Sequence, residues 1–278
     1  MAYQQRIDRR RPGCFLFLVD QSWSMRESIG DTDVPKAQAL SETVNDALYA
    51  ILIECTMDVR EEPRHYFDIG VVGYGGARQA VPLLGRGQGD GLIPSSDLPR
   101  HARVVTREKL AADETGTYRM VNRRSMVWLD PLWDGSTPMC TALQRARQIL
   151  KGWVSQHRDS FPPIVLHITD GMATDGDPRP VAARLRKLST SDGNVLLFNL
   201  HLSAEGGEPV YFPADALTDA EANTQVLFEM SSELPVSLIT QSGYTDRIVS
   251  GARGFVYNAD IPELIDFVQI GTAGPGIC

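Results

Sequence analysis

Five side chains carry the chemistry this sequence can offer. Asp20, Ser22 and Ser24 follow an apolar run at alternate positions, Thr137 lies in Gly135-Ser-Thr-Pro-Met139, and Asp170 opens the pair Asp170-Gly171. Two carboxylates and three hydroxyls are all hard oxygen donors. No histidine or thiolate is among them, which disfavours Zn²⁺ or Cu²⁺ and favours Mg²⁺ or Mn²⁺. Magnesium demands octahedral coordination and usually keeps water or takes an external ligand. Two carboxylates cancel the ion's charge, and the start of a helix after Thr137 adds a partial positive end. A visiting carboxylate is then the natural last ligand.

These residues need elements that bring them together. Cys14–Val19 and Ile164–Thr169 are apolar without alternation, as strands buried on both faces read. Phe67–Tyr74 and Val195–Leu202 are further strands, and Ala80–Leu84 a short one. Apolar residues at intervals of three and four predict helices over Pro35–Cys55 and Pro138–Val154. Val181–Leu188 reads as a short helix, and Gly254–Tyr257 as a strand leading into a helix over Ile261–Ile270. Alternating strands and helices imply an α/β fold, a Rossmann-like doubly wound and mainly parallel sheet flanked by helices. In such sheets ligands bind at the carboxyl ends of strands where the strand order reverses. Asp20, Ser22, Ser24, Thr137 and Asp170 all lie just past strand ends or before a helix.

Each of the five also has a plainer role. Ser22 and Ser24 suit a turn, Thr137 before Pro138 suits a helix N-cap, and Asp170-Gly171 suits an ordinary turn. All three segments in order, at the right strand edges, weigh against that reading. Together, Asp20-x-Ser22-x-Ser24, Thr137 in Gly-Ser-Thr-Pro-Met and Asp170 in Ile-Thr-Asp-Gly resemble the metal-ion-dependent adhesion site of the von Willebrand factor A (vWA) domain family. The resemblance runs from Phe15 to about Ile270 and fills all five motif positions. It implies a vWA fold and a Mg²⁺ (or Mn²⁺) ion that mediates protein contact without catalysis. Asp20, Ser22, Ser24 and Thr137 would hold the ion directly or through water, and Asp170 through water. Phe161-Pro-Pro-Ile-Val-Leu-His-Ile-Thr-Asp-Gly, with Thr174-Asp175 behind it, is similar to bacterial cytoplasmic vWA proteins of the tellurite-resistance type. Those relatives imply a protein phosphatase or a serine/threonine kinase as partner, in a signalling or stress system.

The rest of the chain bounds these readings. The 278 residues divide into an arginine-rich arm (1–12), a single domain (13–272) and a tail (273–278). Gly85–Asp130 is rich in turn formers and reads as an insertion with some strand of its own, which the minimal family pattern lacks. A formal charge of −8 argues against nucleic acid or anionic membrane as partner. The absence of a long apolar run and of a signal-peptide core predicts a cytoplasmic protein. The four cysteines show no CxxC spacing, and reduced thiols are expected. His167 and His201 lie on buried strands and read as satisfied core residues, while His65, His101 and His157 read as surface. Asp175-Gly-Asp177-Pro178 reads as a turn that caps the following helix. Gly85–Gly91 resembles a phosphate loop only superficially, since no helix follows.

Three functions follow from these features. The first is a non-enzymatic module that captures a partner's acidic residue through the ion. The second is a metal-dependent phosphoester hydrolase, weakened because the motif loops carry no lysine or arginine besides Arg26. The third is an adaptor subunit of a ring ATPase.

Overall fold

The computed structural model describes residues 3–56, 61–76, 79–85, 91–112, 118–203, 208–216, 222–241 and 248–259. The expected helix at 261–270, the tail at 273–278 and most of the Gly85–Gly91 stretch lie outside the described residues. Strand β1 (Gly13–Asp20) is buried along its whole length. Its side chains alternate between two cores: Phe15, Phe17 and Val19 enter one, and Cys14, Leu16 and Leu18 the other. That two-sided burial is why β1 reads as an unbroken apolar run. Helix α1 (Lys36–Glu54) covers the first face through Leu40, Val44, Leu48 and Ile51.

Strands β2 (Phe67–Tyr74), β3 (Ala80–Pro82) and β4 (Ile93–Pro94) follow on one side of β1. The chain then makes a short helix α2 (Leu98–His101) and an antiparallel hairpin of β5 (Arg103–Ala112) and β6 (Tyr118–Val127). Helix α3 (Met139–Gln156) packs on the second face. Strand β7 (Ile164–Thr169) then enters beside β1 on the side opposite β2. Helix α4 (Arg179–Leu185), the small hairpin β8 (Ser189–Thr190) and β9 (Gly193–Asn194), and strand β10 (Leu196–Leu202) come next. Strand β11 (Val210–Tyr211), helices α5 (Ala222–Met230) and α6 (Val236–Gln241), and strand β12 (Phe255–Ala259) complete the described elements.

The sheet order is β11-β12-β10-β7-β1-β2-β3, with β4 also on β2. The pairs β1–β2, β1–β7, β7–β10 and β10–β12 are parallel, and only the edge strands are antiparallel. The protein is therefore a mixed α/β fold with a mostly parallel central sheet and helices on both faces. The chain leaves β1 for β2 on one side and later returns to β7 on the other. That reversal opens a crevice at the carboxyl ends of β1 and β7.

The expected helix over 181–188 lies at 179–185, because Leu188 instead closes the β8–β9 turn by accepting from Val195 N. The insertion does contain strands of its own. Helices α5 and α6 and strand β11 have no counterpart in the sequence reading. From Tyr3 onward the arginine-rich stretch docks on the body: Gln4 and Gln5 N–H groups donate to Asp192, and Ile7 is in the core. Cys14, Cys55 and Cys140 are buried free thiols. No described helix is long and apolar enough to cross a membrane.

Two buried polar groups hold the frame under the crevice. His167 Nδ1 faces Asn199 Oδ1 at 2.7 Å, and its Nε2 faces Tyr74 Oη at 2.6 Å. Asn199 Oδ1 can only accept, so Nδ1 donates and Nε2 accepts from the tyrosine. Burial pulls the imidazole down to about 4, so the ring stays neutral. His201 departs from expectation. It is only partly buried, stacks on Tyr257, and its Nδ1 has no partner among the described residues. His157 is half-buried and stacks on Trp153.

Asn45 of α1 carries the insertion back to the sheet. Its Oδ1 accepts from the Trp128 and Leu129 N–H groups, and its Nδ2 donates to Leu129 O. Asn45→Ala strands three backbone groups near the core and should cost at least about 2 kcal/mol in urea unfolding. An unchanged midpoint and slope would show that the bridge holds nothing in place.

Candidate functional site

The crevice residues come together because of register. Val19 of β1 lies beside Ile168 of β7, so the two strands end level, with Asp20 beside Thr169 and Asp170 the next residue along. Asp20 is almost fully buried. Its Oδ1 accepts from Ser22 N at 2.8 Å, the local bond by which an aspartate turns its own chain. Its Oδ2 accepts from Thr169 Oγ1 at 2.5 Å. The turn runs into a 3₁₀ segment, Trp23–Arg26. Ser22 Oγ lies 3.2 Å from Ser24 Oγ, and Ser24 Oγ donates to Asp170 Oδ1 at 2.8 Å. One chain of hydrogen bonds thus links both carboxylates through both serines.

Thr137 reaches the same point from the other side. A Cβ built on Gly171 would lie 3.8 Å from Thr137 Oγ1 and 3.9 Å from Ser24 Oγ. The capping roles open to these hydroxyls are not the ones they fill. Helix α3 starts at Met139, and neither Thr137 nor Ser22 makes a side-chain cap. Asp175 caps α3 instead, accepting from the Cys140 and Thr141 N–H groups at 2.9 Å each. This corrects the expectation for Asp175. Asp177 does serve the following helix, accepting from Arg179 N. Thr137 N donates to Thr174 Oγ1, and among the described residues the Thr137 hydroxyl has no hydrogen-bond partner.

The loops meet backbone to backbone. Gln21 N donates to Tyr74 O, Trp23 N to Gly135 O, and Asp134 N to Gln21 O, at 2.7–3.0 Å. Gly135 has a φ of +64°, and a Cβ there would sit 2.3 Å from Gly76 Cα. Only glycine fits both the dihedral and the approach.

Sequence reasoning missed Lys36. Its side chain is 3% exposed, and its Nζ lies 2.8 Å from Asp170 Oδ2 and 3.3 Å from Glu27 Oε2. Lys36 lies outside the motif loops, at the start of α1, and the helix brings this second basic group to the site. A signal existed: Lys36 opens α1, where the helix dipole disfavours a cation unless an anion compensates it. Trp23 is exposed, with the Arg26 guanidinium 4.5 Å from its ring centroid.

Electrostatics mark Asp20 out. Burial first, and the Asp170 charge second, push its carboxyl up to about 6. Two mutually repelling buried carboxylates with neutral oxygens between them suit a hard divalent cation. Among the described residues no three His, Cys, Asp or Glu side chains cluster as a metal cage. The donor set here is instead two carboxylates plus hydroxyls, and the unpartnered Thr137 hydroxyl leaves an oxygen free for an ion. Asp170, bonded to Ser24 and paired with Lys36, is better suited to act through water.

No family model matches the chain. Among solved structures, it is similar to the adhesive tip pilin GBS104 of Group B Streptococcus agalactiae, at 15% identity over 59% of this chain and 47% of that one, with a TM-score of 0.28. The pilus adhesin RrgA of Streptococcus pneumoniae gives 19% identity over 62% and 22%, with a TM-score of 0.28. The human COPII-coat protein Sec24c gives 9% identity over 79% and 28%, with a TM-score of 0.33. The chain spans less than half the length of each. At such scores these likenesses carry no argument about what it does.

Two expectations follow from the charges. Because Asp20 has a higher value folded than unfolded, its contribution to stability is complete below about pH 4 and is lost as pH rises through about 6. In EDTA the Asp20→Asn variant should escape that loss and gain about 3 kcal/mol on the parent by neutral pH. A parent–variant difference that stays flat from about pH 4 to 7 would refute the buried charge. Lys36→Met keeps the aliphatic stem but leaves Asp170 buried and unpaired, which should cost about 3–5 kcal/mol. Thermal unfolding in EDTA measures it.

Proposed function

We propose that this protein is a vWA-type binding module that uses a divalent ion at the crevice to capture an acidic residue of a partner protein. Asp20, Ser22, Ser24 and Thr137 would hold Mg²⁺ (or Mn²⁺), with Asp170 acting through water. Bound there, the ion supplies a Lewis-acidic position for a carboxylate oxygen. The single observation that carries this reading is the hydrogen-bonded chain from Asp20 through Ser22 and Ser24 to Asp170, with the Thr137 hydroxyl beside it. Five oxygen-bearing side chains from three separate loops converge at a sheet switch point, and two of them do not perform the caps open to them.

The chain's own residues do the preparatory work in this reading. Thr169 and the Ser22 N–H orient Asp20 so that its carboxylate does not rotate away from the crevice. Ser24 and Lys36 fix Asp170, and the glycine contacts keep the three loops at one level. The narrower resemblance points to a bacterial cytoplasmic setting, with a protein phosphatase or a serine/threonine kinase offering the carboxylate. No described residue favours the ring-ATPase role over this one.

Isothermal titration with Mg²⁺ tests the first step. The parent should bind one ion, Asp20→Ala should weaken binding by at least tenfold, and Thr137→Val should weaken it less. An Asp20→Ala variant that binds as tightly as the parent would end the reading. Sustained, Asp20-dependent turnover of phosphoesters would assign the site to a hydrolase instead.

A further inference from the structure

A cavity of about 210 Å³ lies directly against the candidate ion site, and the proposed function leaves it unused. Gly171 is the wall between them. On one side a side chain at Gly171 would approach the Thr137 and Ser24 hydroxyls to within 4 Å, and on the other Gly171 lines the cavity with Met139, Met172, Ala173, Val226 and Leu227. Pockets for whole small ligands run to about 300–1,000 Å³. An apolar hole of about 150 Å³ already accepts a benzene ring. The cavity therefore matches one apolar side chain and is too small for a nucleotide or cofactor.

Charge argues for the same occupant. The two charged groups at the cavity's edge are paired: Arg179 holds Asp177 through its Nε and Nη2, and reaches Glu229 through Nη1 at 3.0 Å. Their charges are thus largely balanced against one another. The acidic centre across Gly171 behaves oppositely, since a divalent ion held there takes a carboxylate. The loops around the candidate site also expose apolar side chains. Trp23, Leu132, Trp133 and Met172 are 38–62% exposed, and they come from the same three loops that build the site. Exposed aromatic side chains around a central anchor are the usual make-up of an energetic contact centre.

We infer that the partner segment carries a medium-sized apolar residue, of the leucine or methionine class, adjacent in sequence to its acidic residue. The apolar side chain enters the Met139–Met172–Leu227 cavity while the acid reaches across Gly171. Consecutive Cα atoms lie about 3.8 Å apart, so a single glycine is a wall that neighbouring residues can straddle. The inference rests on the reading of the site as an ion-dependent carboxylate receptor, and it deepens that reading by naming what flanks the acid.

The test uses the full chain with ¹³C-methyl methionine and two probes, the N-acetyl amides of Leu-Asp-Leu and Gly-Asp-Gly. With Mg²⁺, the leucine peptide should shift the Met139 and Met172 methyl signals and bind roughly tenfold tighter, the gain expected from burying one leucine. Met172→Ser, at a residue 62% exposed and thus harmless to the core, should erase most of that advantage. Equal binding of the two peptides in Mg²⁺ overturns the pocket while leaving the ion site intact. A leucine preference that persists unchanged in EDTA keeps the pocket and removes the ion from recognition. No methyl shift with either peptide overturns the inference.

Discussion

Two carboxylates driven out of water at neighbouring strand ends are the constraint around which this edge of the protein is organised. Asp20 and Asp170 emerge together because β1 and β7 run parallel and in register, and their charges repel in a medium that screens poorly. Every nearby group answers that repulsion. Thr169 and the Ser22 amide donate to one acid, and Ser24 and Lys36 to the other. The lysine is the most costly of these, since it gives up its own hydration at the wrong end of a helix. The proposed ion site would put this repulsion to use, since a divalent cation between the two acids would relieve it.

Below that edge the packing is conventional, and it keeps the strands from shifting. Alternate residues of β1 enter opposite cores, so a slip of one position would exchange both sets at once. The Tyr74–His167–Asn199 chain fixes β2, β7 and β10 relative to one another with a neutral imidazole. Ser231 extends it by accepting from Asn199 Nδ2, tying the end of α5 to the same network. The site thus stands on three cross-linked strands.

Much of this was legible in the residues. Strands buried on both faces leave uninterrupted apolar runs, and Phe67–Tyr74 and Ile164–Thr169 were read with the bounds the structure has. The oxygen donors were legible because each follows a strand or precedes a helix. What stayed hidden depends on tertiary contact. Helix α5 is short and weakly amphipathic, and α6 shorter still, so neither shows a face of its own. The capping of α3 by Asp175 is invisible locally, because an aspartate thirty-five residues downstream of Cys140 takes the role that a neighbouring threonine could have filled. Lys36 was overlooked for the same reason: its partner Asp170 is remote in sequence.

The glycine contacts make the crevice rim a single mechanical piece. Gln21 is bonded through its backbone both to the end of β2 and to Asp134, and Trp23 is bonded to Gly135. Gly76 and Gly135 then touch with no side chain between them to absorb a displacement. A displacement of Trp23 is therefore passed through its N–H bond to Gly135 and so to the loop that leads into α3, rather than absorbed within its own turn.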